Sequence, residues 1–145
     1  MKLPEYITVE EVQKVCKELK LRDWTKITTP EVSKEESELL LSIINTAGIN
    51  IDVEDFRQGL EVELEHGTQY DDANVTNNHP VLTGKIVLAH LKETLDYYKR
   101  LDVAEIEGDL LKAIVNKDIS KIQEKYKKLA KAQQKLQETI EQQLK

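Results

Sequence analysis

Apolar residues recur at three- and four-residue intervals along almost the whole chain, and no segment reads convincingly as a strand. That period gathers apolar side chains on one face of a helix. Thr8 followed by Glu11 forms a capping box, and Val9, Val12, Val15, Cys16 and Leu19 follow at helical spacing, so a first helix is predicted over roughly 8–20. The stretch LRDWTKITTP is a connector anchored by Trp24. Pro30 and Ser33 open a second helix, with Leu39, Leu40, Ile43 and Ile44 as its stripe and AGIN as its end. A third helix runs roughly 52–66, from Asp52 to a stop at Gly67. A fourth is capped by Thr83 and runs roughly 84–101. A fifth starts near Val103 with Gly108 as a weak point, and Asp118 caps a last helix that continues to the C-terminus. The expected fold is all-α, a helical bundle of about five to six helices with a long C-terminal helix.

Two segments depart from this regularity. The roughly 17 residues from Gly67 to Thr83 exceed the usual connection in a helical bundle. They contain Asp71, Asp72, Asn74, Asn77 and Asn78, which support Asx turns and also offer oxygen ligands, together with His79. The last helix places Ile119, Ile122, Tyr126, Leu129, Leu136 and Ile140 near positions a and d of a heptad, interrupted by Gln133. So narrow a stripe suits a helix with one partner, either its own domain, a second copy or another helix.

Charge divides the chain. Residues 1–110 carry 12 basic and 23 acidic side chains, whereas residues 111–145 carry 9 and 4. The expected organisation is an acidic helical domain over 1–110 and a basic, coiled-coil-like C-terminal helix over 111–145. An acidic body argues against nucleic acid as a partner. The basic tail has three outlets: its own body, an acidic partner, or a homodimer formed through the helix. The longest apolar run, LLLSII, is far too short to span a bilayer, and MKLPEYITVEE lacks the apolar core of a signal peptide, which together favour the cytoplasm. The single cysteine, Cys16, excludes an internal disulfide framework. Its mid-helix place on the apolar side fits a buried structural thiol better than a nucleophile.

The chemistry concentrates in LEVELEHG and IVLAHLKETLDYY. Residues three apart share a helix face, so Glu63 and His66 project together, as do His90 and Glu93. The order is inverted between the two helices. If they run antiparallel, His66 comes level with His90 and Glu63 with Glu93. Helical bundles build carboxylate–histidine metal centres from such pairs, and nitrogen and oxygen donors without thiolate suit iron, manganese or zinc. Asp71, Asp72 or Asp96 would complete the shell, Asp96 either as ligand or as acceptor for a histidine. Glu61 and Glu65 lie more to the outside, Gly59 allows close helix approach, and Tyr97 and Tyr98 offer an aromatic wall. Without metal, the same residues make a hydrogen-bonded polar cluster. No glycine-rich phosphate loop, no serine in a strained turn and no His-Glu-x-x-His appear.

These residues also carry a resemblance. The block FRQGLEVELEHG and the later TGKIVLAHLKETLDYYKRL resemble the family called domain of unknown function 5661. Its pattern falls on Phe56, Arg57, Gly59, Glu63, Glu65, His66 and Gly67, then on Lys85, Ile86, His90, Leu91, Glu93, Asp96, Tyr97 and Tyr98. The resemblance covers about residues 50–102 and implies that Glu65 and Asp96 belong to the site. It implies no activity. Two function classes follow: a metal-binding helical protein, catalytic only if a coordination position stays open, and a non-catalytic interaction protein whose cluster is structural and whose last helix binds a partner or itself.

Overall fold

The computed structural model describes residues 6–145, and among them the secondary structure is helical throughout. The helices are α1 (Val9–Glu18), α2 (Lys34–Ile44), α3 (Val53–Gln69), α4 (Pro80–Glu93), α5 (Tyr97–Val115) and α6 (Ile119–Gln143). Short 3-10 turns lie at Trp24–Lys26 and Asp71–Ala73. The first residues of the stretch read for a signal peptide, 1–5, lie outside the described residues. No described helix is long and apolar enough to cross a membrane.

The caps that start α1, α2, α3 and α6 are the expected ones. Thr8 accepts from the Glu11 amide, Asp52 from Glu54 and Asp55, and Asp118 from Lys121. Ser33 and Glu36 close a full capping box. Each satisfies backbone donors that a helix start leaves unpaired.

The middle of the chain differs from expectation. α3 does not stop at Gly67 but continues to Gln69, and α4 starts at Pro80 rather than at Thr83. Proline suits a first helical position because its missing N–H has no partner there anyway. The side chain before it supplies the cap: His79 Nδ1 accepts from the Leu82 amide at 3.3 Å. The helix expected over 84–101 is broken at Thr94–Asp96, so that α5 begins at Tyr97 instead of Val103 and passes through Gly108 unbroken. Asp96 makes the corner. Its fully buried carboxylate takes Nε and Nη2 of Arg100 at 2.9 and 2.8 Å and the hydroxyl of Thr94. The Arg100 guanidinium, more than the Thr94 hydroxyl, holds the Asp96 carboxyl below the usual range against the opposing effect of burial.

Two compact units result, one ending at Glu93 and one comprising Thr94–Lys145. In the first, α2, α3 and α4 pack on one another, and α1 packs on α4 and on the Trp24 turn. Trp24, Leu40, Phe56, Leu60, Leu64 and Leu91 are its largest fully buried side chains. Cys16 is buried as expected, and burial pushes its thiol up. Trp24 also donates to the Glu36 carboxylate at 3.0 Å. Gly84 lets α4 lie close: a Cβ there would stand 3.0 Å from Ile44 Cδ1 and 3.5 Å from Phe56 Cζ.

The second unit is an antiparallel hairpin of α5 and α6. Leu110 and Ala113 face Leu129 and Ala132 in its seam, and Asp109 of α5 accepts from Lys125 of α6 at 2.7 Å. Lys125 thus finds an acidic partner on the preceding helix, whereas Lys128 pairs with Glu124 of its own.

Candidate functional site

Glu63 and His90 occupy equivalent places on their helices. Glu63 follows Leu60 by three residues and precedes Leu64, while His90 follows Val87 by three and precedes Leu91. All four of those neighbours are buried. Each polar residue therefore sits at the edge of a buried stripe, where α3 meets α4. His66 and Glu93, three residues further on, turn outward.

The contacts follow from this placement. Glu63 Oε1 lies 3.8 Å from His90 Nε2, and its Oε2 lies 3.9 Å from His66 Nδ1. Glu93 Oε2 lies 4.0 Å from His90 Nδ1. Glu63 is the centre of the group, with its side chain 15% exposed against 67% for His66. These separations are ion-pair distances when an imidazole is protonated, and are too long for direct hydrogen bonds. The sequence pattern brings the two helices together, and the pair across the seam is Glu63 with His90.

The four side chains form a row, Glu93–His90–Glu63–His66, rather than a ring. His90 meets one carboxylate at each ring nitrogen, and those nitrogens point in different directions. Among the described residues, no group of three or more His, Cys, Asp or Glu side chains is placed to hold a metal ion. Asp71 and Asp72 are exposed in the 3-10 turn after α3. The Asp96 carboxylate is occupied by Arg100 and Thr94, and Tyr98 is buried edge-on against Tyr97 in the second unit.

Glu61 corrects the reading of a solvated outer face. Its carboxylate accepts from the Val32 amide at 3.1 Å and from Arg57, whose guanidinium also reaches the Val32 carbonyl and Glu54. Arg57 and Glu61 thus tie α3 to the connector before α2.

The long loop is held mainly by its asparagines. Asn77 and Asn78 both have positive φ, 48° and 58°, a region that asparagine enters more readily than most residues. Asn77 donates to the Ile7 carbonyl at 2.6 Å, Asn78 to the Trp24 carbonyl at 3.5 Å and Asn74 to the Gly67 carbonyl at 3.3 Å. Gly67 is where the loop folds back on α3: a Cβ there would lie 1.9 Å from Asn78 Oδ1. The glycine of the EHG motif serves close approach rather than helix termination. Beside it, Glu63, His66, Gly67, Asn74, Asn78 and Thr83 line a hollow of about 250 Å³.

Sequence reasoning counted His79 among the residues of the long loop and missed its capping role. His79 is buried, and burial pushes its imidazole below the ordinary histidine value, keeping Nδ1 available as an acceptor for the cap. Its place directly before Pro80 was the available signal.

An all-helical chain with a glutamate bridging two histidines at the seam of neighbouring helices is the class of protein these features define. Residues 12–107 match the family described as protein of unknown function (DUF5661), and the chain belongs to that family. The match runs from within α1 through α4 and into α5, well beyond the two motif blocks, and stops before α6. Comparison with curated proteins and with solved structures gave no match.

Proposed function

We propose that the protein is a small helical binding protein whose functional surface is the α3–α4 seam, and that Glu63, His66 and His90 take a divalent cation there. The observation that carries this reading is the position of Glu63, half-sheltered and within 4 Å of both imidazoles, with one oxygen toward each. Donors about 2 Å from a common ion stand roughly 3–3.5 Å from one another, so the row would have to close, both imidazoles turning toward one edge of the Glu63 carboxylate. Glu93, on the other nitrogen of His90, occupies the place of a carboxylate that orients a ligating histidine. Iron, manganese and zinc match the donor types.

A second reading has its own support. The side chains form a row and no ready-made ligand group is present among the described residues. The cluster would then be an electrostatic clasp between α3 and α4 in a non-catalytic interaction protein. Metal analysis of protein purified without an affinity tag, followed by melting with and without chelator, separates the two. A ligand at a hundredfold its Kd stabilises by about 2.7 kcal/mol. The cation reading expects a bound metal, a melting temperature lowered by chelator, and loss of both responses in Glu63→Gln and His90→Ala. Metal-free protein that melts identically with zinc, manganese, iron(II) or chelator would sink it and leave the clasp.

A further inference from the structure

The α3–α4 seam opens beyond the Glu63–His90 contact. Glu63 stands by His90, and further along α3 His66 shares the hollow of about 250 Å³ with Thr83 and Ile86 of α4. The two helices therefore run antiparallel, and the hollow continues their seam toward the loop.

Its lining has one sign of charge. Glu63 is the only carboxylate among the described residues that line it, and no lysine or arginine joins it. The surrounding field has the same sign, since residues 1–93 carry 18 acidic and 10 basic side chains. An anion would find no cationic partner there. Thr83 also lines the hollow and is only 3% exposed. Its backbone amide bonds the His79 carbonyl, but among the described residues its hydroxyl makes no hydrogen bond. A hydroxyl so enclosed ordinarily has a partner, and the hollow is the space left for one. The rim is apolar: Val75 on the loop is 80% exposed and Ile86 on α4 is 39% exposed.

We propose that this hollow takes a small protonated amine, with its ammonium group on Glu63, N–H donors for the Thr83 hydroxyl and an apolar body against Val75 and Ile86. An ammonium group supplies three donors and one positive charge, which a lining of acceptors with a single carboxylate complements. A charge-assisted hydrogen bond to a half-sheltered carboxylate is stronger than a neutral one, so the charged amine is selected over an alcohol of the same shape. Size limits the ligand. A water molecule's share of liquid volume is about 30 Å³, so the hollow equals roughly eight waters and suits a ligand of about eight non-hydrogen atoms. The inference goes beyond the cation reading and does not depend on it. Glu63 serves one positive charge at a time, so a divalent ion and the amine exclude each other.

The test is a titration of chelator-treated, full-length protein with benzylammonium chloride, followed by the NMR signals of the Val75 and Ile86 methyl groups. Benzyl alcohol is the neutral probe of matched shape and benzoate the anionic one. The pH is 8, where free imidazole is neutral and a primary amine still protonated. Benzylammonium is expected to shift both methyl signals saturably at about millimolar concentration, with benzyl alcohol and benzoate at least about tenfold weaker. Glu63→Gln is expected to weaken the amine by a similar factor. Val75→Lys, which sets a fixed positive charge at the exposed rim, is expected to weaken it at least about threefold. No saturable shift with the amine overturns the proposal. Equal binding of benzyl alcohol overturns it too, by removing the role of charge. If Glu63→Gln loses its helical circular dichroism, Val75→Lys decides, and an unchanged affinity in that variant overturns the proposal. Because chelator is present throughout, a protein that never binds metal gives the same result here, and the two readings fail separately.

Discussion

The two compact units hold themselves together by different means. The first buries large side chains, Trp24 and Phe56 among them, and closes its surface with polar ties between residues far apart in sequence, such as Asn77 to Ile7 and Asn78 to Trp24. The second is a hairpin whose seam is leucine and alanine and whose charged contacts are mostly local, with Lys125 to Asp109 joining the two helices. A unit built on long-range polar ties has few tolerant positions, because each buried donor or acceptor left alone costs about 1–3 kcal/mol. A hairpin with a thin seam loses less with each change.

That contrast can be broken most sharply in the cores. Phe56→Ala should cost about 3–5 kcal/mol, as for other fully buried aromatic residues, whereas Leu129→Ala should fall near the lower end of the leucine range, about 2 kcal/mol. Chemical denaturation of both variants checks this. Equal losses would mean that the hairpin seam is as tightly built as the aromatic core. Gly67→Ala comes next. Within an exposed helix this change would add up to about 1 kcal/mol of stability. Here it drives a methyl group into Asn78, itself held at positive φ, and should destabilise by about 1–3 kcal/mol. A melting temperature that rises would show that the loop yields freely.

The smallest effect sharpens the polar side of the comparison. Burial lowers the His79 imidazole, Lys85 adds to the shift, and Glu11 and a backbone hydrogen bond oppose it. A lowered folded value means the unfolded chain takes up the proton first. Stability from this group is therefore full above the unfolded value of about 6.5 and declines as pH falls through the folded value. His79→Asn retains a capping side chain without this titration. Its melting temperature, measured between pH 8 and pH 5, should fall less than that of the parent. Parallel curves would remove His79 from the pH response.

The helices and most of their starts could be read from the sequence because they rest on local chemistry: Thr8, Ser33, Asp52 and Asp118 each cap within three residues. The facing of α3 and α4 was legible, but the expected level pairs were His66 with His90 and Glu63 with Glu93; Glu63 instead faces His90, about one helical turn from that register. What could not be read depended on distant neighbours. Gly67 resembles a helix stop until Asn78 is seen to lie against it. Asp96 resembles a site carboxylate until Arg100 claims it and turns the helix. Glu61 faces outward on its own helix, and only the chain before α2 brings the Val32 amide to it. The last helix showed one stripe because its inward row, with Leu129, and its outward row, with Ile119 and Tyr126, lie side by side, and only the position of α5 separates them.

The lone thiol gives this architecture a clock. Cys16 is shut inside the first unit, and burial holds it in the unreactive thiol form. A modifying reagent must therefore wait for α1 to lift away. With opening and closing fast, the labelling rate divided by that of a free cysteine is the fraction of time the site spends open. Because the chain contains no second cysteine, every labelling event reports this one door, and the frequency of its opening can be followed without adding a probe.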